Sequence, residues 1–340
     1  MDQMGSVAAG TIVAKNTISC ARVTADSFRC HHPDIPFFVL LADEVDGYFT
    51  PERERFQFLR LGELGIPNLH RLVFQYSRQE LSYALTPYLL SYLLDRGFDC
   101  AAFVKQESLV TGDLTPALAR LRHDSILLTP HLLAPLSGSG AVGRELNILL
   151  SGVYNGGFVA VSSTSAARQF LAWWQDRLAS HCVHAVADGM HFEQRWLDLV
   201  PGFFEGVHLL RDPGMNVAHW NLPERDVRVD GETVLVDGCL CRLFRFSGFD
   251  PEQPDAVTRY SPRLTMTNAG PAAEVYQRYL RLLEQAGFHE TKAWPMPTAA
   301  SRMECQSPMW RAGCIEASDP RRIVSEIPGK PAGQTASSNG

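Results

Sequence analysis

The chain has 340 residues, 45% hydrophobic and 20% charged, with a formal net charge of −6 and a pI near 6.0. This is the profile of a soluble globular protein that can bury a core without metal or disulfide staples, and it argues against a broad nucleic-acid or anionic-membrane surface. No apolar run approaches the roughly 18 residues of a membrane span. The first residues lack a basic start, and the eight cysteines form no C-x-x-C pair, which predicts a cytoplasmic protein with reduced thiols.

TIVA (11–14) reads as a first strand, followed by a helix from about Ile18 to His31 and a strand over 36–42. Residues 52–62 suit a helix and RLVF (71–74) a strand. From Leu81 to Leu93 the apolar residues recur at spacings of three and four, an amphipathic helix weakened at Pro87 and ended by Gly97. CAAFV (100–104), SILLT (125–129) and GFVAVS (157–162) read as buried strands, and Thr164–Ser180 as a helix. Residues 227–238 suit a small β-hairpin, with the turn at Asp230-Gly231 or in a longer loop. A strand over 240–246 and a helix over 272–286 complete the pattern. Strands separated by helices predict an α/β fold with a mostly parallel sheet.

Gly138-Ser139-Gly140-Ala141-Val142-Gly143 matches the dinucleotide pattern G-x-G-x-x-G, but no acidic residue follows about 20 positions on and no strand runs into it. A nicotinamide oxidoreductase therefore rests on these glycines alone, and a flexible loop is the simpler expectation. His31-His32 and His181-Cys182-x-His184 lack a second ligand pair at zinc spacing. No G-x-S-x-G elbow or Walker loop occurs. More informative are polar residues at strand ends: Lys105-Gln106-Glu107, Asn155-Gly156-Gly157, Glu193-Gln194 with Asp198, Asp212-Pro213-Gly214-x-Asn216, and Arg245. In open α/β sheets ligands sit beyond the carboxyl ends of strands. The competing explanation for each is loop capping and turn chemistry.

Together TIVAKNTISCARVTADSF, ALTPYLLSYLLDRGFD, YNGGFVAVSS, FEQRWLDLVPGFFEGVHLLRDPGMNVAHWNL and LFRFSGFDP resemble bacterial glycosyltransferases of the GT-A fold, distantly glycogenin-like, over roughly residues 10–290. The resemblance implies a Rossmann-like sheet flanked by helices that binds a nucleoside-diphosphate sugar and transfers its sugar to an unknown acceptor. It implies nucleotide contacts from Lys15 and Asn16. It also implies an Asp-x-Asp motif that holds a divalent cation, but here Lys105 and Glu107 occupy the two aspartate positions, and Arg245 stands where a histidine often helps hold the metal or diphosphate. A divalent cation ~4 Å from an ammonium is repelled by about 8 kcal/mol at an effective dielectric of 20, whereas a phosphate charge at that distance gains about 4. Bound Mn²⁺ or Mg²⁺ is thus disfavoured, no cofactor is expected, and Lys105 and Arg245 are expected to neutralise the diphosphate.

The family commonly has Asp-Gln at Glu193-Gln194, so Glu193 is the expected catalytic carboxylate, with Lys105 and Glu107 beside it. On helical geometry Asp198 points elsewhere and is expected to be structural. Asn155, Gly156, Gln194, Asp212 and Asn216 are expected on the sugar or acceptor side. Trp220 suits the core better than a sugar platform. The alternative to a transferase is a non-catalytic sugar-nucleotide-binding or scaffold protein. The GT-A-like domain is expected over 1–294. Nearly half of residues 295–340 are Pro, Gly, Ser or Ala and the only aromatic is Trp310, which predicts a disordered tail.

Overall fold

The computed structural model describes residues 5–295. The predicted disordered tail, apart from Pro295, lies outside the described residues. In chain order, β1 (Val7–Val13) leads through α1 (Ile18–His31) to β2 (Phe37–Leu41) and β3 (Gln57–Arg60). Helices α2 (Leu69–Gln75), α3 (Arg78–Ala84) and α4 (Thr86–Asp95) precede β4 (Cys100–Val104), β5 (Ser108–Val110), α5 (Thr115–Leu118) and β6 (Ile126–Pro130). Then come α6 (Ala141–Ser151), β7 (Tyr154–Ser162), α7 (Ser165–Leu178), the short β8 (His184–Ala185) and β9 (Met190–His191), α8 (Val200–Phe203) and β10 (Val207–Leu209). The chain closes with β11 (Val227–Asp230), β12 (Thr233–Val236), β13 (Cys239–Leu240), β14 (Leu243–Arg245), α9 (Ala272–Gln285) and α10 (Phe288–Lys292).

The central seven-stranded sheet has the order β10-β6-β7-β4-β1-β2-β3. Its pairings are parallel except at β7, which runs antiparallel to both neighbours. Period-two alternation sorts the strand residues onto two faces. Ala8, Ile12, Leu40, Phe103 and Val159 face α4 and α7 through Leu89, Leu93, Phe170 and Trp174. Val7, Ala9, Val13, Val39, Val104 and Phe158 face Ile18, Ala21, Ala25 and Phe28 of α1. Helices therefore cover both faces, as near-continuous apolar strands require. The observed fold is the α/β architecture the sequence predicts, with the hairpin present as β11 and β12, joined by the two-residue turn Gly231-Glu232.

Four local expectations are corrected. Residues 52–62 are not a helix: after a turn at Pro51, residues 57–60 form β3, which pairs with the otherwise free edge of β2 and satisfies its backbone groups. RLVF belongs to helix α2, because a four-residue apolar run carries no period of its own. The helix expected from Leu81 is two helices meeting at Leu85, with Pro87 in the first turn of α4, where its missing N–H costs nothing. The strand expected over 240–246 is split, β13 pairing with β12 and β14 with β5. The glycines at 138 and 140 lie in a loop that opens α6. That helix buries none of its residues fully and exposes Val142, Leu146, Leu149 and Leu150. Among the described residues no helix is long and apolar enough to cross a membrane.

Candidate active site

Parallel strands β4 and β6 end at one edge of the sheet, and β7, running the other way, begins there. A cavity of about 810 Å³ opens at this edge, lined by Lys105, His131, Asn155, Glu193, Gln194 and Arg245 at its base. Backbone pairing sets the layout. Lys105 N–H donates to Gly157 O at 2.9 Å, which places the residue after β4 beside the first residues of β7. Arg245, at the end of β14, lies opposite Ser108 in β5.

The two glycines of β7 are spaces for neighbouring side chains. A Cβ on Gly156 would lie 2.6 Å from Glu193 Oε1, and one on Gly157 would lie 1.1 Å from Arg245 Nη1. Alternation along the strand thus delivers the carboxylate to one side and the guanidinium to the other. Glu193 is 1% exposed, and its Oε1 lies 3.4 Å from Lys105 Nζ. That ammonium also sits 3.3 Å from the centroid of the Tyr83 ring. Burial pulls the Lys105 pKa down, but Glu193 and Tyr83 outweigh it and hold the ammonium above its usual range.

Arg245 differs. It is 2% exposed, and its Nη1 donates to Asn155 Oδ1 at 3.3 Å. Its Nε has no hydrogen-bond partner, and it makes no ion pair within 4.0 Å among the described residues. Burial pushes its pKa down, opposed mainly by Glu107.

Asn155 is a bracket. Its Nδ2 donates to His131 Nε2 at 2.9 Å and to Gln194 Oε1 at 3.1 Å, while its Oδ1 accepts from Gly157 N–H at 2.8 Å and from Arg245. His131 Nδ1 faces Val153 O, which can only accept, so Nε2 is the acceptor. Burial lowers the His131 pKa to about 3, keeping the ring neutral. All four hydrogen-bonding places of Asn155 are filled by these protein partners. Gln194 is likewise engaged: Oε1 also accepts from Gly156 N–H at 2.9 Å, and Nε2 donates to Ser151 O at 2.8 Å.

Other expected residues fall outside the cavity lining. Lys15 is buried against Asp46 and under Tyr48, with its N–H donating to Asp43; Asn16 lies in the same turn. Glu107 is half-buried, and its backbone oxygen accepts from Phe246 N–H at 2.9 Å. Asp212 accepts from Arg242 Nε and Gly214 N–H, which is loop chemistry. Asn216 is fully buried with φ 54° and donates to Pro130 O. Asp198 accepts from Val153 N–H and pairs with Arg195, a structural role as expected. Trp220 is not core. It lines the cavity, with its ring centroid 5.1 Å from that of His131.

The sequence reading missed His131, Tyr83, His219 and the loop Arg259-Tyr260-Ser261-Pro262-Arg263, all of which line the cavity. The loop had a signal, an aromatic between two arginines in a Ser-Pro context. The histidines had none, because their partners are distant in sequence.

No family model matches the chain. Two uncharacterized proteins of Bacillus subtilis (strain 168), YfnF and YfnD, are each 25% identical to it, over 246 and 248 residues, spanning 70% of this chain and 80% and 76% of theirs. Among solved structures, the galactosyltransferase LgtC in complex with donor and acceptor sugar analogs matches with a TM-score of 0.50 at 16% identity, covering 82% of this chain and 95% of that one. An active-site glutamine-to-glutamate variant of LgtC matches with the same TM-score at 15% identity. With its mostly parallel seven-stranded sheet and this structural match, the chain has the GT-A-type fold of nucleotide-sugar glycosyltransferases.

Proposed function

We propose that the protein transfers a glycosyl group from a nucleoside-diphosphate sugar to an acceptor hydroxyl, with Lys105 and Arg245 carrying the diphosphate charge. The observation that carries this reading is Arg245: a buried guanidinium at the cavity base that, among the described residues, has an unpartnered Nε and no carboxylate in ion-pair reach. A buried charge without a counterion is costly, and an anionic ligand removes the cost. The forked guanidinium suits phosphate oxygens. The cavity volume lies within the ~300–1,000 Å³ usual for ligand pockets. The LgtC complex, with donor and acceptor sugar analogs bound, supports a site for two sugars in this fold.

The residues present do not fit a divalent cation. Two cations, Lys105 and Arg245, stand at the positions where the resembling enzymes ligate metal, and Glu193 is paired with Lys105. As the bond from the sugar carbon to the diphosphate breaks, the electron pair goes to the leaving oxygen, and the fixed cations stabilise that developing charge. The acceptor oxygen bonds to the sugar carbon and loses its proton. Glu193, held 3.4 Å from Lys105 and given room by Gly156, is the carboxylate placed to accept that proton or to stabilise an oxocarbenium-like centre.

The test is donor binding and turnover across UDP-, GDP-, ADP- and dTDP-sugars in EDTA. Turnover that survives chelation supports the reading. Turnover that requires added Mn²⁺ or Mg²⁺ refutes the role of the two cations. Donor binding without transfer or hydrolysis, over a panel of acceptors, identifies a non-catalytic binder instead.

A further inference from the structure

The cavity is far more basic than the chain. Five basic side chains line it, Lys105, Arg144, Arg245, Arg259 and Arg263, against one carboxylate, Glu193, in a protein of net charge −6. Two of the five have carboxylate partners: Lys105 lies 3.4 Å from Glu193 and faces the donor diphosphate in the proposed transfer, and Arg144 is held by a two-pronged pair with Glu224. Arg245 serves the diphosphate in the reading above. That leaves Arg259 and Arg263, both exposed and neither in an ion pair within 4.0 Å among the described residues.

These two arginines sit on a built loop. Arg259 N–H donates to Gly248 O at 2.9 Å, and Thr258 Oγ1 donates to Ser247 O at 2.9 Å. Gly248, at φ 74°, has room for no side chain because the Tyr260 ring lies where a Cβ would reach it at 2.6 Å. The loop is thus tied to the segment that follows Arg245. Tyr260 is 56% exposed. From it an aromatic wall leads inward, with ring centroids 6.1 Å apart for Tyr260–His219, 5.0 Å for His219–Trp220 and 5.1 Å for Trp220–His131. Arg259 Nη2 donates to Tyr260 Oη at 3.1 Å, and its guanidinium lies 5.1 Å from that ring's centroid; aromatic faces beside a cleft stack against the C–H face of a sugar ring, and guanidinium groups with no carboxylate partner bind an acid.

We infer that the acceptor is an acid-bearing saccharide, its ring against Tyr260, His219 and Trp220 and its carboxylate or phosphate on Arg259 and Arg263. The inference rests on the proposed transferase reading, since it fills the second half of the same cavity. It assigns the deep cations to the donor and the outer ones to the acceptor.

The test measures direct binding of methyl β-glucoside, methyl β-glucuronide and glucose 6-phosphate by calorimetry, with and without saturating UDP. The glucuronide or the phosphate is expected to bind at least tenfold tighter than the glucoside, and which of the two does so identifies the acid. Arg263→Ala and Arg259→Ala should each lose on the order of tenfold of that affinity, a larger loss than either shows for UDP. Tyr260→Ala should weaken all three saccharides together. Equal affinity for the glucoside and both acids overturns the inference, as does an unchanged acid affinity in both arginine variants. A parallel loss of UDP affinity in those variants also overturns it, by placing them on the donor side. Failure of every nucleoside diphosphate to bind refutes the transferase reading instead, and the saccharide affinities still decide whether the mouth recognises an acid.

Discussion

Replacing Gly157 with alanine puts a methyl group 1.1 Å from Arg245 Nη1, 2.3 Å from its Cζ and 2.6 Å from Asn155 Oδ1. The strand backbone tolerates alanine, since this glycine lacks the left-handed φ of Gly138 or Gly140. The guanidinium must therefore move and surrender its bond to Asn155. If Arg245 meets the diphosphate, its displacement removes one cation, worth at most about 4 kcal/mol at ~4 Å and an effective dielectric of 20. Desolvation discounts that figure. A lost hydrogen bond to a charged group costs about 1.5–3 kcal/mol, or roughly 10–150-fold in affinity. Calorimetry on Gly157→Ala should show this loss for the nucleoside diphosphate and little change for the nucleoside. The change should act mainly through Arg245: in an Arg245→Ala background, Gly157→Ala should cost clearly less, the remainder coming from the 2.6 Å approach to Asn155 Oδ1. Equal losses for nucleoside and diphosphate, or an undiminished loss in the double variant, would refute the reasoning.

Arg245→Met removes a buried charge and should raise the melting temperature of the ligand-free protein by a few degrees while weakening diphosphate binding; a lower melting temperature would show that the guanidinium is held by the fold and not by its ligand. Glu193→Gln should reduce kcat more than it raises donor KM, and Gly156→Ala, which crowds Glu193 Oε1 at 2.6 Å, should do the same more weakly; unchanged kcat in Glu193→Gln would make that residue structural. Burial lowers His131 to about 3 and His191 and His219 to about 4, while burial raises Asp43 to about 6. At pH 5 the unfolded chain thus binds more protons at the three histidines and fewer at Asp43, a net uptake of about two. Stability should fall by about 2–3 kcal/mol per unit as pH drops from 6 to 5. Thermal melts over pH 7–5 check this, and a flat profile refutes it.

The sheet was legible because its strands are buried on both faces and read as apolar runs. Edge strand β3 was not, since its reason for existing is the unpaired side of β2, a tertiary fact. At the site, the strand-end rule found Lys105, Asn155, Glu193, Gln194 and Arg245, and the structure brings all five to one cavity. Their division of labour was hidden. Whether an amide is free for a sugar depends on how many of its bonds are already made, and the partners of Asn155 come from positions 131, 157, 194 and 245. The two glycines looked like a turn, yet they lie inside β7 as vacancies for other side chains. Lys15 and Asn16 followed the resemblance, and in the structure Lys15 is paired with Asp46 outside the cavity lining.

The reversed direction of β7 also bears on how such a protein diversifies. Parallel neighbours need a crossover that spans the whole layer, but β6 and β7 run opposite ways and are joined on the rim itself. The intervening stretch, which includes α6, hangs over the opening without threading back across the molecule. It can lengthen, shorten or change composition while the register beneath it stays fixed. New substrate preferences are therefore most cheaply gained by rewriting that overhang, leaving the foundation intact.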